Sequence, residues 1–194
     1  MAPPWEGEDM MSPDRTAAGF PDGCLVRQLT THADARGALA EVFRQQWFEA
    51  PEPVRWVSLR NRANALRGLY LHCTAWTYLC VLRGRAFLGL HDMRPTAAGA
   101  QRGFLAAPEA TAQRLIAIPP GIAHGLYFPE DASHLSATSA AGPTDRLLLC
   151  RWDCPELMID WPCTAPLLDP SDTASGDYAD LAAQYRAQAR GPSA

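Results

Sequence analysis

The sequence contains no lysine: all 17 residues of the Lys and Arg class are arginine. The chain therefore cannot use a lysine side chain as a base, as a Schiff-base former or as a phosphate ligand. Arginine can still bind phosphate or carboxylate, often through two parallel hydrogen bonds. The formal net charge of −4 provides no general attraction to nucleic acid or to an anionic membrane surface, so we expect neither partner.

Other familiar signatures are also absent. None of the six cysteines forms a Cys-x-x-Cys pair, and a chain of 194 residues needs no disulfide scaffold. The N-terminal residues 1–22 lack the apolar segment of a secretory signal, and no stretch is long and apolar enough to span a membrane. We therefore expect reduced thiols, a cytoplasmic location and a flexible N-terminal tail over residues 1–22, which are rich in Pro, Gly and acidic side chains.

The sequence does contain many short apolar segments separated by Gly and Pro turns, most of them alternating. Alternation with a period of two is typical of strands that bury one face. The segment at 38–43 also contains good helix formers, but its short length between turn signals favours a strand. The segments interpreted as strands are 25–30, 38–43, 54–59, 66–72, 78–82, 86–91, 104–105, 113–118, 126–128, 134–138 and 147–152.

Short strands at regular spacing with little helix predict one all-β domain, an antiparallel barrel or sandwich, over residues 23–175. Helical periodicity emerges only in the last part of the chain, residues 176–194. There Asp177 can cap a helix in which Leu181 and Tyr185 share a face. We therefore predict a short C-terminal helix and tail after the barrel.

Two segments concentrate the polar side chains that a site requires. In the strand at 66–72, Tyr70 and His72 point to the same face. A Pro-Pro-Gly turn at 119–121 then places His124 at the start of an apolar segment. Polar residues on two such strands predict a site inside a barrel. The alternative is that Tyr70 and His72 fill the barrel as an aromatic pair.

A series of short motifs follows in a fixed order over residues 32–175. The motifs are Asp34-x-Arg36-Gly37, Glu41, Leu66-Arg67-Gly68-Leu69, Arg83-Gly84, Asp92-Met93-Arg94, Ile118-Pro119-x-Gly121-x-Ala123-His124-Gly125, Trp152-Asp153, Ile159-x-Trp161-Pro162 and Leu168-x-x-x-Asp172. This ordered set resembles the nucleotide-sugar 3,5-epimerases, which include the dTDP-4-dehydrorhamnose 3,5-epimerases and relatives in antibiotic deoxysugar pathways. The resemblance implies a cupin-type (jelly-roll) β-barrel, a homodimer, a 4-keto-6-deoxysugar nucleotide substrate, and no metal or organic cofactor.

The resemblance also assigns substrate-binding roles to four residues. Arg36, Arg67 and His124 match family residues that contact the nucleotide diphosphate, and Glu41 matches an acidic residue that helps to hold the nucleotide base. Taken singly, an arginine more commonly forms a surface salt bridge, but together and beside the matched histidine these arginines favour a bound anion. For His124 the equal alternative is a buried histidine satisfied by the backbone.

The catalytic positions depart from the family pattern. Epimerisation next to a ketone needs a base that removes a proton from one face of the sugar and an acid that returns one to the other. The family's basic His is replaced here by Tyr70, Thr77 aligns with its Lys, and its acidic Tyr falls near Ser136. His72, on the same strand face as Tyr70, is then the candidate base. Tyr70 would supply a hydroxyl.

A carboxylate completes this candidate catalytic set. Asp172 matches the family residue that pairs with the base, and we expect it to orient His72 or Tyr70. A metal site is not expected, although the turn that ends in His124 fits a cupin metal motif, because two histidines alone rarely hold a divalent ion. His91 and His134 carry no motif and are interpreted as packing or edge residues.

Two functions remain open from the sequence. The first is an isomerase of bacterial secondary metabolism, which acts on a 4-keto-6-deoxysugar nucleotide by removing a proton next to the ketone. The second is a diverged cupin that catalyses a different reaction on a small-molecule metabolite, or only binds it, because the family's base and acid are replaced.

Overall fold

The computed structural model describes residues 14–15, 20–95, 103–140, 147–173 and 175–189. In these ranges the strands are β1 (Asp14–Arg15), β2 (Leu25–Gln28), β3 (Thr31–Asp34), β4 (Gly37–Ala40), β5 (Arg55–Asn61), β6 (Ala65–His72), β7 (Thr77–Arg83), β8 (Phe87–Asp92), β9 (Gly103–Ala106), β10 (Arg114–Ile118), β11 (Ile122–Phe128), β12 (Ala132–Thr138) and β13 (Leu147–Leu149). The α-helices are α1 (Pro108–Thr111), α2 (Pro170–Thr173) and α3 (Tyr178–Ala189), and single 3-10 turns lie at Gln45–Trp47 and Pro155–Leu157.

The strands form two large antiparallel sheets and one separate hairpin. The first sheet has the order β1-β2-β10-β7-β12-β5, and the second has the order β13-β6-β11-β8-β9. Within the described ranges, strands β3 and β4 pair only with each other. Neighbours in both large sheets come from distant parts of the sequence, which is the connectivity of a jelly roll rather than of a simple meander.

The main hydrophobic core lies between the two large sheets. It combines buried side chains from alternate positions of strands in both sheets, which is the pattern that inward-facing residues of a barrel should show. The members include Val26, Leu79, Val81, Leu88, Leu90, Ile116, Ile118, Ile122, Leu126 and Phe128. The prediction of an antiparallel jelly-roll barrel is therefore confirmed.

The outer face of the second sheet is covered by the C-terminal part of the chain. Leu69 and Leu71 of β6 pack there with Leu157 and with Leu181 of α3. Helix α3 begins where the sequence predicts, because the Asp177 carboxylate accepts a hydrogen bond of 3.0 Å from the Asp180 amide. This covering explains why β6 and β11 are apolar on both faces except at the candidate site.

Two sequence expectations need correction near the N-terminus. The predicted tail includes β1, which pairs with β2, and Phe20, which is buried in the main core, so these residues belong to the barrel. Residues 1–13 and 16–19 of the predicted tail lie outside the described residues. The strand predicted at 38–43 ends at Ala40, because Thr31–Asp34 pairs with Gly37–Ala40 in a tight hairpin that the sequence analysis did not anticipate.

Candidate active site

Tyr70, His72 and His124 share the inward face of the second sheet. Tyr70 and His124 are direct partners in the antiparallel register between β6 and β11, so their side chains lie on the same face. The rings of His72 and His124 stack with centroids 6.0 Å apart and planes 18° apart. Because Ile122 and Leu126, on the same face of β11, belong to the core between the sheets, this face looks into the barrel.

Two glycines allow β6 and β11 to approach closely at this point. The register shifts between His124 and Leu126 opposite β6. Gly68 has a φ of +119°, and a Cβ on it would lie 2.8 Å from both the Gly125 Cα and the His124 carbonyl oxygen. The Gly of the Arg67-Gly68 motif and the Gly that follows His124 therefore serve the packing that brings the two strands' polar residues together.

His124 is held as a neutral imidazole. Its Nδ1 lies 3.1 Å from the Ile122 carbonyl oxygen, so this nitrogen donates the hydrogen bond and Nε2 is left as the acceptor. Burial, followed by the neighbouring His72, lowers the pKa of His124 from 6.5 to about 4. At neutral pH the ring offers a hydrogen-bonding group without a charge.

Tyr70 and Asp172 form a second polar pair. The Tyr70 hydroxyl donates a hydrogen bond of 3.5 Å to Asp172 Oδ2, and the residue Asp172 is only 2% exposed. Burial raises the pKa of Asp172, while hydrogen bonds from Tyr70 and the Gly68 amide oppose the rise. Within the described residues, Asp172 Oδ1 is buried and has no hydrogen-bond partner.

The same environment keeps the Tyr70 hydroxyl protonated. Burial, followed by repulsion from Asp172, raises the pKa of Tyr70 to about 12. A phenol with such a pKa can donate a hydrogen bond or deliver a proton at neutral pH, but it cannot act as an efficient base. The imidazole of His72 is therefore the side chain of this strand face that is suited to accept a proton.

Arg67 joins the site from the other end of β6. Its Nε donates a hydrogen bond of 2.6 Å to Asn61 Oδ1 at the end of β5, and Asn61 Nδ2 lies 2.9 Å from His134 Nδ1 on β12. Arg67 also interacts electrostatically with Tyr70 and Asp172. No local sequence motif marks Asn61, and His134 was expected to be a packing or edge residue.

His134 is buried, as a packing residue should be, but it does not lie at an edge. Strand β12 runs between β7 and β5 in the first sheet, and the His134 ring stacks on Phe128 at 5.3 Å. Burial, followed by the positive charge of Arg67, lowers its pKa from 6.5 to about 4. No local motif marks this residue, because its partners come from strands far away in the sequence.

Arg36 and Glu41 lie elsewhere in this chain. Arg36 is in the turn of the β3–β4 hairpin, where its largely exposed side chain forms an ion pair of 2.5 Å with Asp34. Glu41 follows the hairpin and forms an ion pair of 2.5 Å with Arg44. The structure therefore brings together Arg67, Tyr70, His72, His124 and Asp172, while the contacts of Arg36 and Glu41 remain local to the hairpin and its C-terminal flank.

The opposite wall of the barrel presents two hydroxyl groups. Thr77 and Ser136 fall in register with core-facing positions of the first sheet, since Ser136 pairs with Leu79 and Thr77 lies two residues before it. Thr77 Oγ1 is buried without a hydrogen-bond partner in the described part of the chain. Hydroxyls of this kind donate hydrogen bonds but are poor acids at neutral pH.

Two general features of the described residues bear on the type of site. Across the described ranges, no three side chains of the His, Cys, Asp or Glu type converge as metal ligands. No helix in these ranges has the length and hydropathy needed to cross a membrane.

Comparisons with known proteins show the family of this chain. Residues 21–180 match the family model described as dTDP-4-dehydrorhamnose 3,5-epimerase. The chain is 32% identical over 179 residues to the dTDP-4-dehydrorhamnose 3,5-epimerase of Pseudomonas aeruginosa, an alignment that covers 85% of this chain and 96% of that protein.

Solved structures show the same fold. The epimerase of Mycobacterium tuberculosis has a TM-score of 0.75 at 22% identity, with 90% of this chain and 92% of that chain covered. ChmJ, a 3'-monoepimerase from Streptomyces bikiniensis in complex with dTDP-quinovose, has a TM-score of 0.70 at 22% identity, with 87% and 95% covered. On the family match and the identity to the Pseudomonas enzyme, the chain belongs to the dTDP-4-dehydrorhamnose 3,5-epimerase family.

Proposed function

We propose that this protein is an isomerase of bacterial secondary metabolism that acts on a 4-keto-6-deoxysugar nucleotide. It removes a proton from a carbon next to the ketone, and the resulting enolate is reprotonated. The observation that carries this proposal is the stacked pair of His72 and His124 inside the barrel, directly beside the hydrogen-bonded Tyr70 and Asp172. An imidazole, a phenol and a carboxylate are the groups that this chemistry needs.

In this proposal His72 is the base. Its ring lies on the inward face of β6, two residues from the position where the family has its own basic histidine. The neighbouring His124 is neutral at pH 7, so it does not oppose the positive charge that His72 gains when it takes a proton. A proton returned by His72 to the same face restores the original configuration, so inversion requires a proton donor on the opposite face of the sugar.

Tyr70 acts as a hydrogen-bond donor to the ketone or enolate oxygen. The raised pKa of Tyr70 keeps the hydroxyl protonated, and Asp172 fixes its direction. Arg67 and His124 hold the diphosphate, as the family resemblance implies. The nucleotide sugar in the ChmJ complex is consistent with such a ligand.

The working unit in this proposal is a cytoplasmic homodimer. Among the described residues, strand β5 forms an edge of the first sheet, and Trp56 and Val57 on it are exposed. An exposed apolar edge strand favours pairing with another chain. Homodimerisation would also give the hairpin that carries Arg36 and Glu41 a surface to contact, and light scattering at micromolar concentration tests it: a monomer would contradict this part of the proposal.

The alternative is a diverged cupin that performs another reaction on a small metabolite or only binds it. The observation that favours it is the chemistry of Tyr70: the hydroxyl has a pKa of about 12 at the position of the family's base. Ser136 and Thr77 also stand where the family has its acid and its lysine.

Incubation of the protein with dTDP-4-keto-6-deoxyglucose in deuterated water separates the two functions. The proposed isomerase incorporates deuterium at C3 or C5, which mass spectrometry detects and NMR assigns to a carbon. If no deuterium enters while dTDP still protects the protein against thermal unfolding, the alternative holds. A sample of the His91→Gln variant serves as a matched control, because His91 contacts Leu157 and Tyr178 on the outer side of the second sheet.

A further inference from the structure

Three residues from three strands form one hydrogen-bonded chain across the gap between the two sheets. Asn61 ends β5, His134 lies on β12 of the same sheet, and Arg67 lies on β6 of the other sheet. The Asn61 side chain contacts both partners, with 2.6 Å to Arg67 Nε and 2.9 Å to His134 Nδ1. Asn61 and His134 are both almost fully buried, so the hydrogen bonds are shielded from water.

The chain of hydrogen bonds has a fixed direction. Arg67 Nε–H can only donate, so the Asn61 oxygen must face it and the Asn61 NH₂ group must face His134. His134 Nδ1 must then be an unprotonated acceptor. This requirement agrees with the lowered pKa of His134, whose causes are burial and the Arg67 charge. If His134 Nδ1 carried a proton, two hydrogen-bond donors, this N–H and the Asn61 NH₂ group, would face each other.

Asn61 also counteracts a competing attraction on Arg67. The guanidinium is attracted by the negative charges of Asp169, just before α2, and Asp172, within α2. Among the described residues, the Arg67 side chain donates a hydrogen bond through Nε alone, to Asn61. This hydrogen bond to Asn61, the tether of Arg67, therefore fixes the plane of the guanidinium, and the terminal amino groups of Arg67 remain available for an anion.

We propose that His134 is a positioning residue: through Asn61 it sets the orientation in which Arg67 binds the diphosphate of the substrate. This inference rests on the proposed function for the identity of the anion. His134 does not touch the ligand, and its effect on binding passes through the amide of Asn61. A role of this kind has a specific atomic requirement, namely an acceptor at the position of Nδ1.

Two substitutions of His134 test that requirement. In asparagine the Oδ1 atom is bonded to Cγ, as Nδ1 is in histidine, so His134→Asn keeps an acceptor in the same place. His134→Leu removes it and keeps an apolar volume. Titration calorimetry with dTDP at neutral pH should show binding weakened by at least about tenfold in His134→Leu, because the variant disturbs the hydrogen bond between Asn61 and the charged Arg67. Binding by His134→Asn should stay close to wild type.

A double-mutant cycle separates positioning from general loss of structure. If His134 acts through Arg67, His134→Leu produces no further weakening in an Arg67→Leu background. If His134→Leu does not fold, Asn61→Ala breaks the same chain from the other side and must give the same pattern. His91→Asn, at a comparably buried histidine on the outer face, controls for unspecific destabilisation.

The outcomes are distinct from those that test the proposed function. Wild-type protein that binds inorganic pyrophosphate but not dTDP contradicts the nucleotide-sugar substrate, and the same variants are then compared with pyrophosphate. Wild-type protein that binds neither probe overturns the inference. His134→Leu with wild-type affinity also overturns the inference. So does a His134→Leu substitution that weakens binding as much in the Arg67→Leu background as it does alone.

Discussion

His72 and His124 stack inside the barrel with their ring centroids 6.0 Å apart, and burial keeps one of them neutral. Two imidazolium ions at that distance in a buried site would repel each other. The pair therefore holds at most one proton readily. His124, which donates its Nδ1–H to the Ile122 carbonyl, is the neutral member, so His72 is the member that takes up the proton in the reaction we propose.

The first prediction concerns pH and stability. His124 and His134 each have a folded-state pKa of about 4 against an ordinary value of 6.5. Between these values the unfolded chain binds more protons than the folded protein, so acidification favours unfolding. The stability from these two residues is complete above pH 6.5 and is lost as the pH falls towards 4, by roughly 3 kcal/mol for His134 alone.

Urea unfolding measured at a series of pH values checks this expectation. His134→Asn provides the internal control, because it removes one of the two titrating groups and keeps the acceptor for Asn61. Its unfolding free energy should change less steeply with pH than that of the wild type. Equal slopes for the two proteins would show that His134 is not held neutral by the fold.

The second prediction concerns Tyr70. Tyr70→Phe removes the hydroxyl that donates to Asp172 and that we propose to face the substrate oxygen. Turnover should fall by about 10²–10³, as when one hydrogen-bond donor to a developing oxyanion is lost. Because Asp172 acts through Tyr70, replacing both residues (Tyr70→Phe with Asp172→Asn) should cost little more than Tyr70→Phe alone. Steady-state kinetics of the two single variants and the double variant measure this coupling.

Calorimetry with dTDP distinguishes a catalytic effect from a binding effect. The affinity of Tyr70→Phe for dTDP should remain near wild type, since dTDP carries no ketone for the hydroxyl to contact. Full turnover by Tyr70→Phe, or additive losses in the double variant, would remove Tyr70 and Asp172 from the catalytic machinery.

The third prediction concerns the close approach of β6 and β11. Gly68→Ala places a Cβ 2.8 Å from the backbone of Gly125 at a φ of +119°, which side chains rarely adopt. The two backbones must separate, and the free energy of unfolding should fall by more than about 1 kcal/mol. Gly37→Ala is the matched control: its φ is also positive, at +139°, but its Cβ would have nothing within 4 Å.

Thermal and denaturant unfolding of both glycine variants checks the comparison. Gly37→Ala should incur only the cost of its backbone conformation, so it should be the more stable of the two. Equal destabilisation would mean that the contact between Gly68 and Gly125 contributes nothing beyond the φ angle.

The barrel could be predicted from the sequence because its strands carry local signals. The segment at 66–72 alternates in polarity, the turn at 119–121 contains two prolines and a glycine, and Asp177 precedes a helical period. Each of these features acts over a few residues. The hairpin of Thr31–Asp34 with Gly37–Ala40 was missed because its residues are largely exposed, so no apolar alternation marks it.

The candidate site residues could be named from short-range patterns and from the family resemblance, which also supplied Arg67 and Asp172. Tyr70 and His72 share a face by the period of the strand, and His124 follows from the turn before it. The tether of Arg67 could not be predicted, because Asn61 meets His134 only through the pairing of β5 with β12, 73 residues apart in sequence. Arg36 lies in the predicted turn, but its position relative to the barrel depends on how the hairpin is arranged in three dimensions.

The most direct test of the account is the rate at which His72→Gln exchanges deuterium into dTDP-4-keto-6-deoxyglucose. If the His72 imidazole removes the proton, exchange at C3 or C5 falls by about 10²–10⁴ relative to wild type. The melting temperature and the affinity for dTDP should remain close to wild type, and His91→Gln should exchange normally in its folded fraction. Exchange by His72→Gln at the wild-type rate would contradict the central claim.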